Sequence, residues 1–124
     1  MKDHFRSVFR DDSQVAEVCN LLCEHASMPG MWTVGYGPTS ECERILSRDC
    51  AGLTAGQQVI FLVAWELWNE ERVDKQSHIV RFAFVVRVLT GKYLMPLATL
   101  LVAMGGGPEA VDDWLSSNRL PYPK

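Results

Sequence analysis

The chain has 124 residues, 48% hydrophobic, 10% aromatic and 22% charged. That composition excludes disorder and lets one domain bury about two-thirds of its unfolded surface without disulfide or metal staples. The net charge of -3 and pI near 5.5 supply no general attraction to phosphate or anionic lipid, so neither nucleic acid nor a membrane surface is the expected partner.

The N-terminal MKDHFRSVFRDDS alternates charges with single apolar residues and lacks the continuous apolar run of a signal peptide. The longest apolar stretches, Val59 to Trp68 and Tyr93 to Met104, fall well short of the ~20 residues that span a bilayer. The expectation is a soluble, cytoplasmic protein whose first 11 residues form an extended or flexible lead.

Asp11, Asp12 and Ser13 offer an N-cap for a first helix over Ser13 to Ala26, with Val15, Val18, Cys19 and Leu22 at helical spacing. Pro29, Gly30, Gly35, Gly37 and Pro38 then predict a long loop from Ser27 to Pro38. This loop carries Met28, Met31, Trp32, Val34 and Tyr36, more apolar bulk than a loop needs. Either it folds back as a lid over the core, or it presents Trp32 and Tyr36 to a partner as interface anchors.

Ser40 with Glu43 has the S-x-x-E pattern of a capping box and predicts a short second helix with Cys42, Ile45 and Leu46 as its apolar positions. Thr54 with Gln57 predicts another box, opening a long helix that contains FLVAWELWNEER. At 100° per residue Phe61, Trp65 and Trp68 form one stripe, while Glu66 and Glu70 share the opposite flank with Val59 and Val63. On this spacing the helix starts buried on all sides and emerges into solvent at Glu66. The alternative is a pocket between helices, lined by Trp65, Trp68 and Trp32 and served by Glu66 as a catalytic or ligand-binding carboxylate.

The run IVRFAFVVRVL has strand-like composition, but no second strand is evident to pair with it, so a helix over part of Val80 to Leu89 is expected. Residues 72–92 set Arg72, Lys75, Arg81, Arg87 and Lys92 against Asp74 alone, a local charge of +4 in an acidic chain. Arg81 and Arg87 are candidates for pairing with Glu66, Glu70, Glu71 or the acidic last helix, within a subunit or between two. A weaker alternative is contact of this basic segment with a nucleic-acid backbone. Pro96 predicts that the next helix starts no earlier than about Tyr93 and runs to Met104, ended by Gly105 to Gly107. Pro108 opens the last helix, with Val111, Trp114 and Leu115 inward and Asp112 and Asp113 outward. The tail from Arg119 to Lys124 should be extended.

Chemical motifs are sparse. Cys19 and Cys23 are spaced C-x3-C and Cys42 and Cys50 C-x7-C, which fits neither a zinc knuckle nor a doubly bridged helical hairpin, so reduced structural thiols are expected. His4, His25 and His78 form no H-x3-H motif, and Cys23 and His25, two apart on a helix, point away from each other. AMGGGPEAVDDW superficially resembles a phosphate loop but lacks the lysine and carries three carboxylates. No catalytic, cofactor-binding or metal-binding residue is expected.

The predicted architecture is a single all-α domain, residues 1–124, of five to six helices with short connections. The predicted role is non-enzymatic, through protein–protein contacts, as a regulatory, accessory or immunity-type binding protein. Ile79 to Leu89 and Tyr93 to Met104 are apolar on more than one face. With the Trp65 helix taken as central, one of them should face a second subunit in a two-fold homodimer.

Overall fold

Asp11 opens the first helix. In the computed structural model, which describes residues 8–69 and 91–120, Asp11 is extended and its carboxylate accepts the Gln14 N–H at 2.9 Å, so α1 runs Asp12–His25. The helix ends in a Schellman turn. Met28 N–H bonds the Cys23 carbonyl at 2.8 Å, Ser27 N–H bonds that of Glu24 at 3.0 Å, and Ser27 takes the left-handed conformation at φ 65°.

The segment expected to be a long loop is an ordered hairpin. β1 (Trp32–Thr33) pairs antiparallel with β2 (Gly37–Pro38), Trp32 opposite Pro38 and Thr33 opposite Gly37. Asn20 of α1 fixes its start, because the Asn20 side-chain oxygen accepts the N–H groups of Met31 and Trp32 at 3.1 and 3.0 Å. At Gly37, φ is 108° and a Cβ would lie 2.8 Å from the Trp68 ring, so only glycine fits under that indole.

α2 spans Ser40–Ser47, and the Ser40–Glu43 capping box does not form. Thr39 is the N-cap residue, which makes Ser40 the first helical residue, and the Thr39 hydroxyl instead donates to the Gly30 and Met31 carbonyls at 2.8 and 3.2 Å. Tying down the preceding loop has taken the hydroxyl that would otherwise cap. α2 closes with a second Schellman turn, Cys50 N–H to the Ile45 carbonyl at 2.9 Å and Asp49 N–H to that of Leu46 at 3.0 Å.

α3 spans Ala55–Trp68 and does carry its expected capping box, with Thr54 and Gln57 exchanging bonds of 3.1 Å in both directions. The Gln57 amide also donates to the Ala26 carbonyl at 2.9 Å and so ties the start of α3 to the end of α1.

α4 spans Gly91–Gly105 and places Pro96 inside the helix, two residues deeper than a start at Tyr93 allows. Proline at this position removes one helical N–H bond. Burial of the ring and donation from the Trp114 indole to the Pro96 carbonyl at 3.2 Å offset it. Gly107 at φ 89° turns the chain into α5, Pro108–Asn118, with Pro108 at the first helical position.

The fold is all-α, with five helices among the described residues and the one small hairpin. Its centre is α1, not the Trp65 helix: α1 packs against α3, both hairpin strands, α4 and α5. Eight α1 residues are buried, including Val15, Val18, Leu22 and Gln14. Gln14 is held on every polar atom, its oxygen accepting the Arg10 N–H at 2.6 Å and its amide donating to the Pro108 carbonyl and to Asp112, both at 2.9 Å. Residues 8–11 are accordingly docked and not a loose lead, since Phe9 is in the core and the Arg10 guanidinium pairs with Asp112. Val111, Trp114 and Leu115 of α5 are buried as expected. The helix expected within Val80 to Leu89, and Arg81 and Arg87 with it, lie outside the described residues.

Candidate interaction surfaces

Trp32 and Tyr36, proposed together from the sequence as partner anchors, part company in the structure. Trp32 is buried, 6.4 Å centroid to centroid from both Phe61 and Trp65, and it closes one side of the core. It is therefore a packing residue and not an exposed anchor, because Asn20 fixes the backbone that carries it. Tyr36 stands at the hairpin tip with 89% of its surface exposed, and Val34 beside it is also exposed. Lid and display are thus divided between Met28, Met31 and Trp32 on one side and Val34 and Tyr36 on the other.

The aromatic stripe on α3 grades from core to surface. Phe61 is fully buried, Trp65 stacks on it at 6.2 Å but is only half-buried, and Trp68 is half-buried over Gly37. Glu66 is half-buried as well, so it neither sits in the core nor stands fully in water. A groove among the described residues lies between α2, the end of α1 and the start of α3, and Trp65, Glu66 and Trp68 are not part of its lining.

The four cysteines are buried free thiols. Burial pushes the Cys23 thiol far above its ordinary value and Cys42 up to about 12, while Cys50 is raised by burial and by Asp49. Cys19 and Cys42 donate to the Ala64 and Met31 carbonyls at 3.2 and 3.1 Å. For Cys23, Cys42 and Cys50 these shifts oppose the thiolate form that nucleophilic chemistry and metal binding need. His25, at the end of α1, bonds the Asn118 carbonyl through Nε2 at 2.6 Å and so ties the ends of α1 and α5 together. Among the described residues no group of three His, Cys, Asp or Glu side chains is placed to hold a metal ion, and no helix is long and apolar enough to cross a membrane.

An exposed apolar row among the described residues was not singled out residue by residue in the sequence. Leu94 (39% exposed), Met95 (62%), Leu101 (58%) and Val102 (79%) lie along the outer side of α4. Residues 94 and 101, and 95 and 102, are two turns apart, so they form one stripe, with Ala98 between them. The inner side, Leu97, Leu100 and Met104, is buried. The signal was present as an apolar run on more than one helical face. What the sequence could not give was which face the core would take. From Tyr93 to Gly105 the helix carries no charged residue, so nothing on its outer side favours water over an apolar partner. Comparison with family models, with curated proteins and with solved structures finds no match, so the surfaces of this chain are interpreted from their own geometry.

Proposed function

We propose that this protein is a non-catalytic helical module that acts through protein–protein contacts, with the outer face of α4 as the contact and a second copy of the chain as its first partner. The observation that carries the reading is the Leu94, Met95, Leu101, Val102 stripe, since scattered exposed apolar residues are ordinary but an aligned row of them marks an interaction surface. An uncharged stripe is compatible with itself. Two copies of α4 related by a two-fold axis bury four large side chains each and bring no like charges together, with Ala98 and Gly105 giving room for close helix approach.

Light scattering across micromolar concentrations tests this directly. The native chain is expected to exceed the monomer mass of 14.0 kDa as concentration rises, and the double variant Leu101→Glu, Val102→Glu to stay at it. A native mass of 14.0 kDa at every concentration removes the second copy as partner. Turnover in a broad activity screen, abolished by replacing one polar side chain, removes the non-catalytic reading.

A further inference from the structure

Sulfur is distributed unevenly between the inside and the outside of this fold. The chain has four cysteines and five methionines, and all of them except Met1 are among the described residues. The four cysteines, Met28, Met31 and Met104 are buried, none of them more than 6% exposed. Met95 is 62% exposed. Its position in α4 explains the contrast, since Leu97, Leu100 and Met104 take the inner side of that helix and leave Met95 in the outer row with Leu94, Leu101 and Val102. Among the described residues, then, one sulfur-bearing side chain is open to solvent, and it stands in the surface already assigned to self-association.

That distribution decides where an oxidant acts. Cysteine reacts with peroxides as the thiolate and only where it is accessible. Here all four thiols are buried, and burial also opposes the thiolate form of Cys23, Cys42 and Cys50. A thioether has no proton to lose, so access alone governs its oxidation. The Met95 sulfur donates a lone pair to one oxygen of a hydroperoxide, the O–O bond breaks, and the proton on the transferred oxygen passes to the departing one, which leaves as water or an alcohol. Sulfur is oxidised by two electrons, the peroxide is reduced by two, and the product is methionine sulfoxide.

We infer that Met95 is a peroxide-sensitive modification site that regulates the pairing of α4 with a second copy, its sulfoxide holding the chain monomeric until the thioether is restored. The inference rests on the self-association proposed above. In the paired state the sulfoxide oxygen has to give up water against an apolar row, and Leu94, Leu101 and Val102 offer it no hydrogen-bond donor. Thr99, one turn on from Met95, is already committed, its hydroxyl donating to the Met95 carbonyl at 2.9 Å and accepting the Trp114 indole N–H at 3.0 Å. The coupling is reciprocal, because pairing covers Met95 and oxidation disfavours pairing. Restoration takes a dithiol-dependent sulfoxide reductase, in which the dithiol becomes a disulfide and the oxygen leaves as water.

The test is titration of the full native chain with hydrogen peroxide, each methionine being followed by peptide mass spectrometry, the mass by light scattering and the fold by circular dichroism. Met95 is expected to be oxidised before Met28, Met31 and Met104, and more slowly at protein concentrations where the chain is paired. Oxidation of Met95 should raise the dissociation constant of the pair about tenfold or more with the helical signal unchanged. Dithiothreitol with reductases for both sulfoxide epimers should reverse the change. Met95→Leu, a swap of similar volume at an exposed position, should pair as the native chain does and continue to pair in peroxide. A native chain that is monomeric at every concentration removes the self-association reading and this inference with it. A native pair that survives Met95 oxidation, an equal loss of pairing in oxidised Met95→Leu, or oxidation of the buried methionines as early as Met95 overturns this inference alone.

Discussion

At the scale of single residues, Gln14 shows how little of a polar core is visible locally. It is the one buried polar side chain among the described residues, and its three partners come from Arg10, Pro108 and Asp112. Gln14→Leu leaves the Arg10 N–H and the Pro108 carbonyl without these bonds, and the cost expected in denaturant melts is about 2 kcal/mol or more. The aromatic stripe gives a second residue-level expectation. Spacing alone ranks Trp65 with Phe61, but Phe61 is fully buried and Trp65 is not. Phe61→Ala should therefore cost about 3 to 5 kcal/mol and Trp65→Ala clearly less, each measured by urea unfolding. Equal losses would show that the half-buried indole contributes as much as the core ring.

At the scale of elements, the helix starts written in local backbone chemistry were legible and those decided by distant partners were not. Asp11, the Thr54–Gln57 box and Pro108 after Gly107 act within four residues of themselves, and each forms as its spacing predicts. Ser40–Glu43 has an equally good local pattern and fails, because Thr39 is committed to loop carbonyls eight and nine residues away. Trp32 was legible as a large residue in a turn-rich stretch, but its burial depends on Asn20, twelve positions earlier and on another element. The α2 groove was invisible for the same reason, since it joins two connections and a helix face whose proximity no periodicity encodes. The two Schellman turns offer a test at this scale. Each holds a residue with a Cβ where glycine is usual, so Ser27→Gly, and independently Asp49→Gly, should raise stability by about 0.5 to 1 kcal/mol through relief at a left-handed position. A loss in both would mean that the hydroxyl and carboxylate make contributions the geometry does not reveal.

At the scale of the whole molecule, the described ends of the chain meet. The Arg10 guanidinium donates to Asp112, and Arg119 pairs with Glu17 at 3.3 Å. The hydrogen bonds from Arg10 first and Gln14 second hold the Asp112 carboxyl below its usual range. A carboxylate depressed in this way contributes stability above its unfolded value, and that contribution disappears as pH falls through the lower folded value. The melting-temperature gap between the native chain and Arg10→Gln should thus be constant around neutrality and close on acidification through the carboxylate range. A gap that persists in strong acid would assign it to packing. The central position of α1 has one more consequence, for the order in which the protein can be made. α1 leaves the ribosome well before α4 and α5, which pack against it, and the Arg10–Asp112 bond closes a loop of 102 residues. Such distant pairing must wait until α5 has been made, so a nascent fragment ending before Gly91 leaves uncovered the side of α1 that α4 and α5 bury, and depends on whatever shields it until they follow.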